Sequence, residues 1–368
     1  MAKRVVKTSL SFTGYQLIGH VLCKIAAKYH FKLIIVGRRS KVTSVLFEAF
    51  KKMNFKEIKF IETENDAIAL QQAMDVIHTG SLVLLLVSSH SIQKTIGELS
   101  LAILSEMPLL IINMQEHPML STVEQQHMQT DLAFYSHSTF EGLQVPIIGF
   151  STDYNQLHSL QIFVEIAYKF MTPIILLVDV PSVSKCYELE PSKLNAVRLD
   201  KDALMTFYRN WSAQGVDEDL SFLGKQLLGL SIDKFQTEIT YFQRKMRDLA
   251  ASKHAYSIVS RNACSRYALV GWGTTEALVA LVMKSPLLLA LKFSHLHLNL
   301  VYPLPAGFIE KANKFERLFV VEFNAGQLAV CLKNNTSAQI SSINRYDGKY
   351  FTVDEILSSI EKILLEKS

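Results

Sequence analysis

Four apolar runs of strand length constrain this chain more than any other feature: "LIIV" at 33–36, "LVLLLV" at 82–87, "LLII" at 109–112 and "IILLV" at 174–178. None alternates polar with apolar residues, so each must be covered on both faces. The cover lies between them, in segments of helical spacing: "VTSVLFEAFKKM", "DAIALQQAMDVIHTG" closed by Gly80, "TIGELSLAILSEM" and "QLHSLQIFVEIAYKFM". "EIKFIE" adds a further strand. Such alternation predicts a parallel sheet sandwiched by helices.

The pattern breaks after Pro181. "SVSKCYELEPSKLNAVRLD" is polar and irregular, and the stretch that follows carries one strongly helical piece, "IDKFQTEITYFQRKMRDLAA". A second strand–helix series then runs through "RYALVGW", "TTEALVALVMK", "LLLALKFS", "FIEKANKF", "RLFVVEF" and "GQLAVCLK" to a last helix, "TVDEILSSIEKILLEK". At 368 residues the chain can bury two cores. The expectation is an α/β protein of two doubly wound, mainly parallel-sheet domains, 1–182 and 256–368, with 183–255 as a linker containing one long helix.

The net charge is only +4, and the Lys and Arg residues are scattered, which argues against nucleic acid as a partner. "MAKRVVK" is followed by "TSLSFTGYQLIGH", too polar for a signal sequence, and "SLVLLLV" and "SPLLLALKF" are too short to span a bilayer. A cytoplasmic protein with no membrane partner is expected. Cys23, Cys186, Cys264 and Cys331 stand far apart, with no Cys-x-x-Cys pair, and read as reduced, partly buried thiols. There is no sequence-local zinc or iron–sulfur signature. No Gly-x-Gly-x-x-Gly or P-loop is present to cradle a phosphate.

"FIETENDAIAL" sets Glu62, Glu64 and Asp66 between a strand and a helix start. Acids in a first helical turn complement the helix dipole and need no further purpose. "HLHLN" places His295 and His297 on one face of a strand, but no third metal ligand stands nearby, so a hydrogen-bonded strand pair is expected.

"YALVGWGTTEALVALVM", "HLHLNLVYPLP" and "ERLFVVEFNAGQLAVCLK" together resemble the C-terminal domain of 2-oxoacid:ferredoxin oxidoreductase α subunits. That family has V-G-x-G-S/T at a strand end, a later Y/N-P-x-P, and E-x-N-x-G-Q-L opening a helix. Gly271, Gly273, Tyr302, Pro303, Pro305, Glu322, Asn324, Gly326, Gln327 and Leu328 carry the match. The first half is similar to the family's pyrimidine-binding domain: "ENDAIALQQAMDVIHTGSLVLLLVSSHS" lies along E-D-E-I-A-A-I-N-M…A-G…T-S-G-P-G, and "ILSEMPLLIINMQ" along the segment ending V-Q-R-G-G-P-S-T-G. The implied folds are a thiamin-enzyme pyrimidine domain and a transketolase C-terminal-like domain.

The resemblance implies a chemistry. In that family a buried carboxylate at the start of the helix matching "DAIALQQAM" stands beside N1′ of the thiamin pyrimidine. The diphosphate, its Mg²⁺ and the nearest iron–sulfur cluster sit on a partner β subunit. The match places Asp66 at the catalytic acid and Glu64 at the first acid of E-D-E. Ser88 and Ser89 fall in the cofactor-facing loop. Aspartate is one methylene shorter than the family's glutamate, so its oxygens stand about 1.5 Å further back. The family's substrate-pairing arginine is matched by Glu116, with His117 beside it, and an anion there would repel a 2-oxoacid. Arg38 and Arg39 are the candidates for replacement positive charge, or an exposed loop pair or partner contact. For Glu322, Asn324, Gly326 and Gln327, as for Gly271 and Gly273, a structural or interface role is implied.

Two readings follow. In one the chain is the α subunit of a thiamin-diphosphate-dependent 2-oxoacid oxidoreductase. It would oxidatively decarboxylate a 2-oxoacid such as pyruvate or 2-oxoglutarate to an acyl-CoA, with a β chain and with ferredoxin or flavodoxin as electron acceptor, in αβ units that can pair. In the other it is a catalytically degenerate paralogue that keeps the fold and pairing surface as a structural or regulatory subunit. Neither expects activity from the isolated chain.

Overall fold

The computed structural model describes residues 10–53, 55–89, 93–115, 128–137, 143–151, 156–190, 192, 197–199, 232–252, 256–260 and 264–366. For Gln156, 232–235, 238 and 256–260 only the backbone is described.

The chain opens with β1 (Leu10–Thr13) and α1 (Gly14–Lys28), then runs β2 (Leu33–Arg38), α2 (Thr43–Lys51), β3 (Ile58–Thr63), α3 (Asp66–Ile77) and β4 (Leu82–Ser88). It continues through α4 (Ile96–Leu104), β5 (Leu110–Gln115), α5 (Leu132–His137), β6 (Ile147–Gly149), α6 (Gln156–Phe170) and β7 (Ile174–Asp179). After the short α7 (Val180–Ser184) and β8 (Cys186–Leu189) comes α8 (Ile232–Ala250). The second series is β9 (Tyr256–Ser260), β10 (Tyr267–Trp272), α9 (Thr275–Val282), α10 (Pro286–Ala290), β11 (Ser294–Leu298), β12 (Leu300–Tyr302), α11 (Ala306–Ala312), β13 (Arg317–Glu322), α12 (Gln327–Asn335), β14 (Gln339–Asn344) and α13 (Val353–Leu365).

The expected α/β architecture is present as two mostly parallel sheets. The larger has the order β12-β6-β7-β5-β4-β2-β3 and is parallel except where β12 joins β6. The smaller runs β14-β13-β10-β11-β9, antiparallel only at β9. The runs β4, β5 and β7 are buried at every residue, as strands covered on both faces must be. A third, two-stranded piece pairs β8 with β1, so the start of the expected linker folds back on the N-terminus.

Three apolar clusters hold these layers. One lies under α1, α2 and α6 on one face of the larger sheet, and one lies on the outer face of the smaller. The middle cluster is continuous from Val36, Leu85 and Ile111 of the first sheet to Val270, Leu298 and Val320 of the second. The two units therefore share a core, and β12, from the second series, completes the first sheet. Burial at roughly 25 cal/mol per Å² makes such a seam a major part of the fold's stability.

Two segments differ from expectation. "LLLALKFS" forms the short α10, capped by Ser285 and started by Pro286 (Leu288 N donates to Ser285 Oγ, 3.3 Å), and the strand is the following "SHLHL". A Ser-Pro pair is a strong helix-start signal and outweighs the apolar run. Cys186 and Cys264 are exposed, not partly buried, whereas Cys23 is buried and Cys331 half-buried. Cys186 takes an outward position on the alternating β8, and Cys264 lies in a turn.

Candidate functional site

The C-terminal edge of a parallel sheet is where open α/β folds gather their functional groups. Here that edge is made by the ends of β2, β3, β4, β5 and β7. The three acids of "FIETENDAIAL" part company there. Glu62, at the end of β3, is exposed and ion-paired to Arg39 at 2.6 Å and Lys51 at 3.6 Å; the Arg39 hydrogen bond holds its carboxyl below the usual range. Glu64 is exposed. Asn65 caps α3, its Oδ1 accepting from Ile68 N at 2.9 Å. Asp66, the first helical residue, is turned inward and only 4% exposed. Of the two predicted acids, the fold buries Asp66 and leaves Glu64 in solvent.

Beside this edge lies a buried polar cluster. Ser88 and Ser89, at the end of β4, are both buried. Ser89 Oγ donates to Asp131 Oδ2, and Asn113 Nδ2 of β5 donates to the same oxygen at 2.7 Å. Thr130 Oγ1 approaches Asp131 Oδ1 at 3.4 Å. Gln115, at the end of β5, bridges Met128 O and Thr130 N at 3.2 Å in the amide orientation that satisfies both. Tyr135, one turn beyond Asp131, is buried; burial pushes its phenol well above the usual value, with the nearby Asp131 and Asp66 carboxylates adding to the effect. Tyr135 Oη and Asn113 Oδ1 have no hydrogen-bond partner among the described residues. Asp131 was missed by sequence reasoning: "QTDLAF" has no motif character, and only the contacts of the folded chain reveal it.

The segment that bears Asp131 is fastened by the other unit. In the turn "EFNAGQL", Glu322 is buried at the end of β13 and accepts from Asn324 Nδ2 (2.9 Å), Leu328 N (2.8 Å) and Ala329 N (2.9 Å), capping α12. Asn324 Oδ1 accepts from Gly326 N and Gln327 N at 2.6 and 2.9 Å. Gly326 sits at φ +93°, a left-handed conformation that a side chain resists, so glycine is required there. Asn324 Nδ2 then donates to Gln129 O at 2.9 Å, Gln327 Nε2 to Thr130 O at 2.7 Å, and Ala133 N to Gln327 Oε1 at 2.9 Å. Gln129 returns the grip: its Oε1 accepts from Phe323 N at 3.0 Å and its Nε2 donates to Trp272 O at 2.8 Å. The implied structural or interface role of this motif takes the form of a clamp within the chain. Gly271 and Gly273 flank Trp272 at the same seam. Gly273 lies against Gly149, where a Cβ on Gly149 would meet Gly273 N and Trp272 Cε3 at 2.9 Å each.

The remaining candidates fall elsewhere. Arg39 is ion-paired at the surface to Glu62 and to Glu48 at 3.4 Å. Arg38 ends β2 on the exposed side. Glu116 and His117 lie outside the described residues. His295 and His297 form a pair of buried rings 6.2 Å apart, but not the hydrogen-bonded pair expected. His297 Nε2 bonds Ser151 Oγ at 3.0 Å, while His297 Nδ1 and both nitrogens of His295 have no partner among the described residues. Strand β11, which carries both rings, is buried at every residue. No group of three or more metal-ligating side chains occurs among the described residues, and no helix described is long and apolar enough to cross a membrane.

The chain is 20% identical over 333 residues to the 2-oxoglutarate oxidoreductase subunit KorA of Mycobacterium tuberculosis, an alignment covering 85% of this chain and 51% of that one. Its fold matches a solved structure described as 2-oxoglutarate:ferredoxin oxidoreductase from Magnetococcus marinus with 2-oxoglutarate, coenzyme A and succinyl-CoA bound, with a TM-score of 0.82 at 14% identity, over 97% of this chain and 65% of that one. The chain is thus similar in sequence to a 2-oxoglutarate oxidoreductase subunit and shares the fold of a 2-oxoglutarate:ferredoxin oxidoreductase. It spans about half the length of the curated relative, and no protein-family model matches it.

Proposed function

We propose that the chain is the pyrimidine-side α subunit of a thiamin-diphosphate-dependent 2-oxoacid oxidoreductase, completed by a β chain that carries the diphosphate, Mg²⁺ and cluster. The observation that carries this reading is Asp66: a carboxylate at the head of α3, on the sheet edge and drawn out of water. Three features of the donor set fit an aminopyrimidine. A buried carboxylate suits a ring nitrogen that must be protonated and deprotonated, and Asn113 Oδ1 and Tyr135 Oη are buried acceptors without partners among the described residues.

Bound thiamin diphosphate would supply a nucleophilic thiazolium carbon and an electron sink for the decarboxylation of a 2-oxoacid. The residues of this chain hold and orient. Asp66 Oδ holds a proton toward the ring nitrogen. Asp131, fixed by Ser89 and Asn113, keeps a second negative charge close by. Burial strengthens both effects, because charges interact more strongly away from water. Ferredoxin or flavodoxin would accept the electrons through the β chain.

One observation favours the second reading, a subunit that pairs without catalysing. Arg39, a candidate for binding the substrate carboxylate, is spent on Glu62 and Glu48. The experiment that separates the two is co-expression with the β chain, followed by 2-oxoacid-dependent reduction of a viologen dye. Turnover supports the catalytic subunit. A stable complex that binds thiamin diphosphate without turnover supports the degenerate one.

A further inference from the structure

Asp131 is bracketed by residues of a distant part of the chain. On its N-terminal side, Gln129 exchanges four hydrogen bonds with Trp272, Phe323 and Asn324, counting the backbone bond Gln129 N to Phe323 O at 3.1 Å. On either side of it, Thr130 O and Ala133 N are both taken by the amide of Gln327. Its own side chain looks the other way, onto Ser89 and Asn113 at the ends of β4 and β5. The sheet edge that holds Asp66 and the turn that holds Asp131 thus belong to different units, and the short segment 128–133 is the bridge between them.

A bridge of this kind has a consequence for charge. A carboxylate buried at 6% exposure and held by Ser89 and Asn113 acts over short distances at low dielectric, so a shift of its backbone by an ångström alters the field at its neighbours. Tyr135 lies in that field, follows Asp131 in the chain (Tyr135 N donates to Asp131 O at 3.1 Å), and carries a hydroxyl with no partner among the described residues. It is a built-in reporter of where the carboxylate sits.

We propose that the Asn324–Gln327 turn sets the place of the buried Asp131 carboxylate, a positioning residue beside Tyr135, so that the charge in this polar cluster is fixed by the docking of the C-terminal unit. This deepens the functional reading above and rests on it in one respect, that the polar cluster around Asp131 borders the reacting ring. The coupling itself belongs to the chain and can be measured without turnover.

The test labels the full chain with 3-fluorotyrosine and assigns the Tyr135 fluorine resonance by its loss in Tyr135→Phe. Asp131→Asn should shift that resonance. In a Gln327→Met background, which keeps the side-chain volume and removes both clamp bonds, the same Asp131→Asn change should produce less than half the shift. Hydrogen exchange at the Ala133 amide, the group held by Gln327 Oε1, should rise in Gln327→Met even if its fluorine spectrum broadens. A purely structural clamp would leave the Asp131→Asn shift equal in both backgrounds, and that result overturns the proposal, as does an Ala133 amide equally protected with and without Gln327. If the complex with the β chain shows no turnover while the coupling is measured as expected, the functional reading fails and the positioning inference stands.

Discussion

Removing the Glu322 carboxylate should cost more than any other single change at the seam. Glu322→Ala strips the acceptor from three buried donors, Asn324 Nδ2, Leu328 N and Ala329 N. Each buried donor left unpaired costs roughly 1–3 kcal/mol. Relief from burying a charge offsets part of this, so about 3–6 kcal/mol is expected, a large share of a typical stability of about 5–15 kcal/mol. Trp272 is buried at the same seam and reports on it directly. In a Trp211→Phe background, urea unfolding followed by tryptophan fluorescence should show the midpoint falling by on the order of 1–2 M. Glu322→Gln keeps one acceptor oxygen and should lose less. Burial raises the Glu322 carboxyl above its ordinary 4.5, while the three donors hold it down. The raised value means that the group's contribution is full below 4.5 and is lost as pH rises through the folded-state value. The deficit of Glu322→Gln against the wild type should therefore shrink from pH 4 towards neutrality. An Ala variant with an unchanged midpoint would refute the assignment of these three bonds as structural.

Three further outcomes follow from the same geometry. Burial holds His297 down to about 3, and burial together with the His297 charge does the same for His295. The unfolded chain then binds protons that the folded chain refuses, so stability is full above 6.5 and is lost as pH falls towards 3. At one unit below 6.5 each ring costs about 1.4 kcal/mol; His295→Met should flatten the acid arm of a midpoint-against-pH curve, and a flat wild-type curve would contradict the burial of neutral rings. Gly149→Ala drives a Cβ into the backbone of Gly273 at 2.9 Å and should destabilise by about 1–3 kcal/mol in thermal unfolding; an unaffected melting temperature would mean that the seam yields easily. A thiol-titrating disulfide reagent should modify Cys186 and Cys264 before Cys23, whose thiol burial pushes up to about 12, and Cys331, pushed up to about 11 by burial and Glu322; four equal rates would contradict the packing.

How much of this could be read from the chain depended on whether a residue's role was local. The apolar runs of β4, β5 and β7 were legible because burial on both faces leaves an uninterrupted signature. The helix α1 was read only for its polarity, although Thr13 and Gln16 form a capping box at its start. The edge strand β14, "QISSIN", carries no apolar run because much of it is exposed, so nothing announced it. At the candidate site, Asp66 was singled out by its place at a helix start and by resemblance. Asp131 was not, since its partners lie 18 and 42 residues away in sequence and its clamp nearly 200. Arg39 looked available as a cation until the fold brought Glu62 and Glu48 to it.

The central claim is that Asp66 offers its carboxylate to a thiamin ring held by another subunit. The direct measurement is the rate of 2-oxoacid-dependent viologen reduction by the complex with the β chain, comparing wild type, Asp66→Ala and Asp66→Glu. Loss of a general acid–base group predicts a fall of roughly 10²–10⁴-fold for Asp66→Ala, with Asp66→Glu retaining activity. An Asp66→Ala complex that turns over at the wild-type rate would contradict the account.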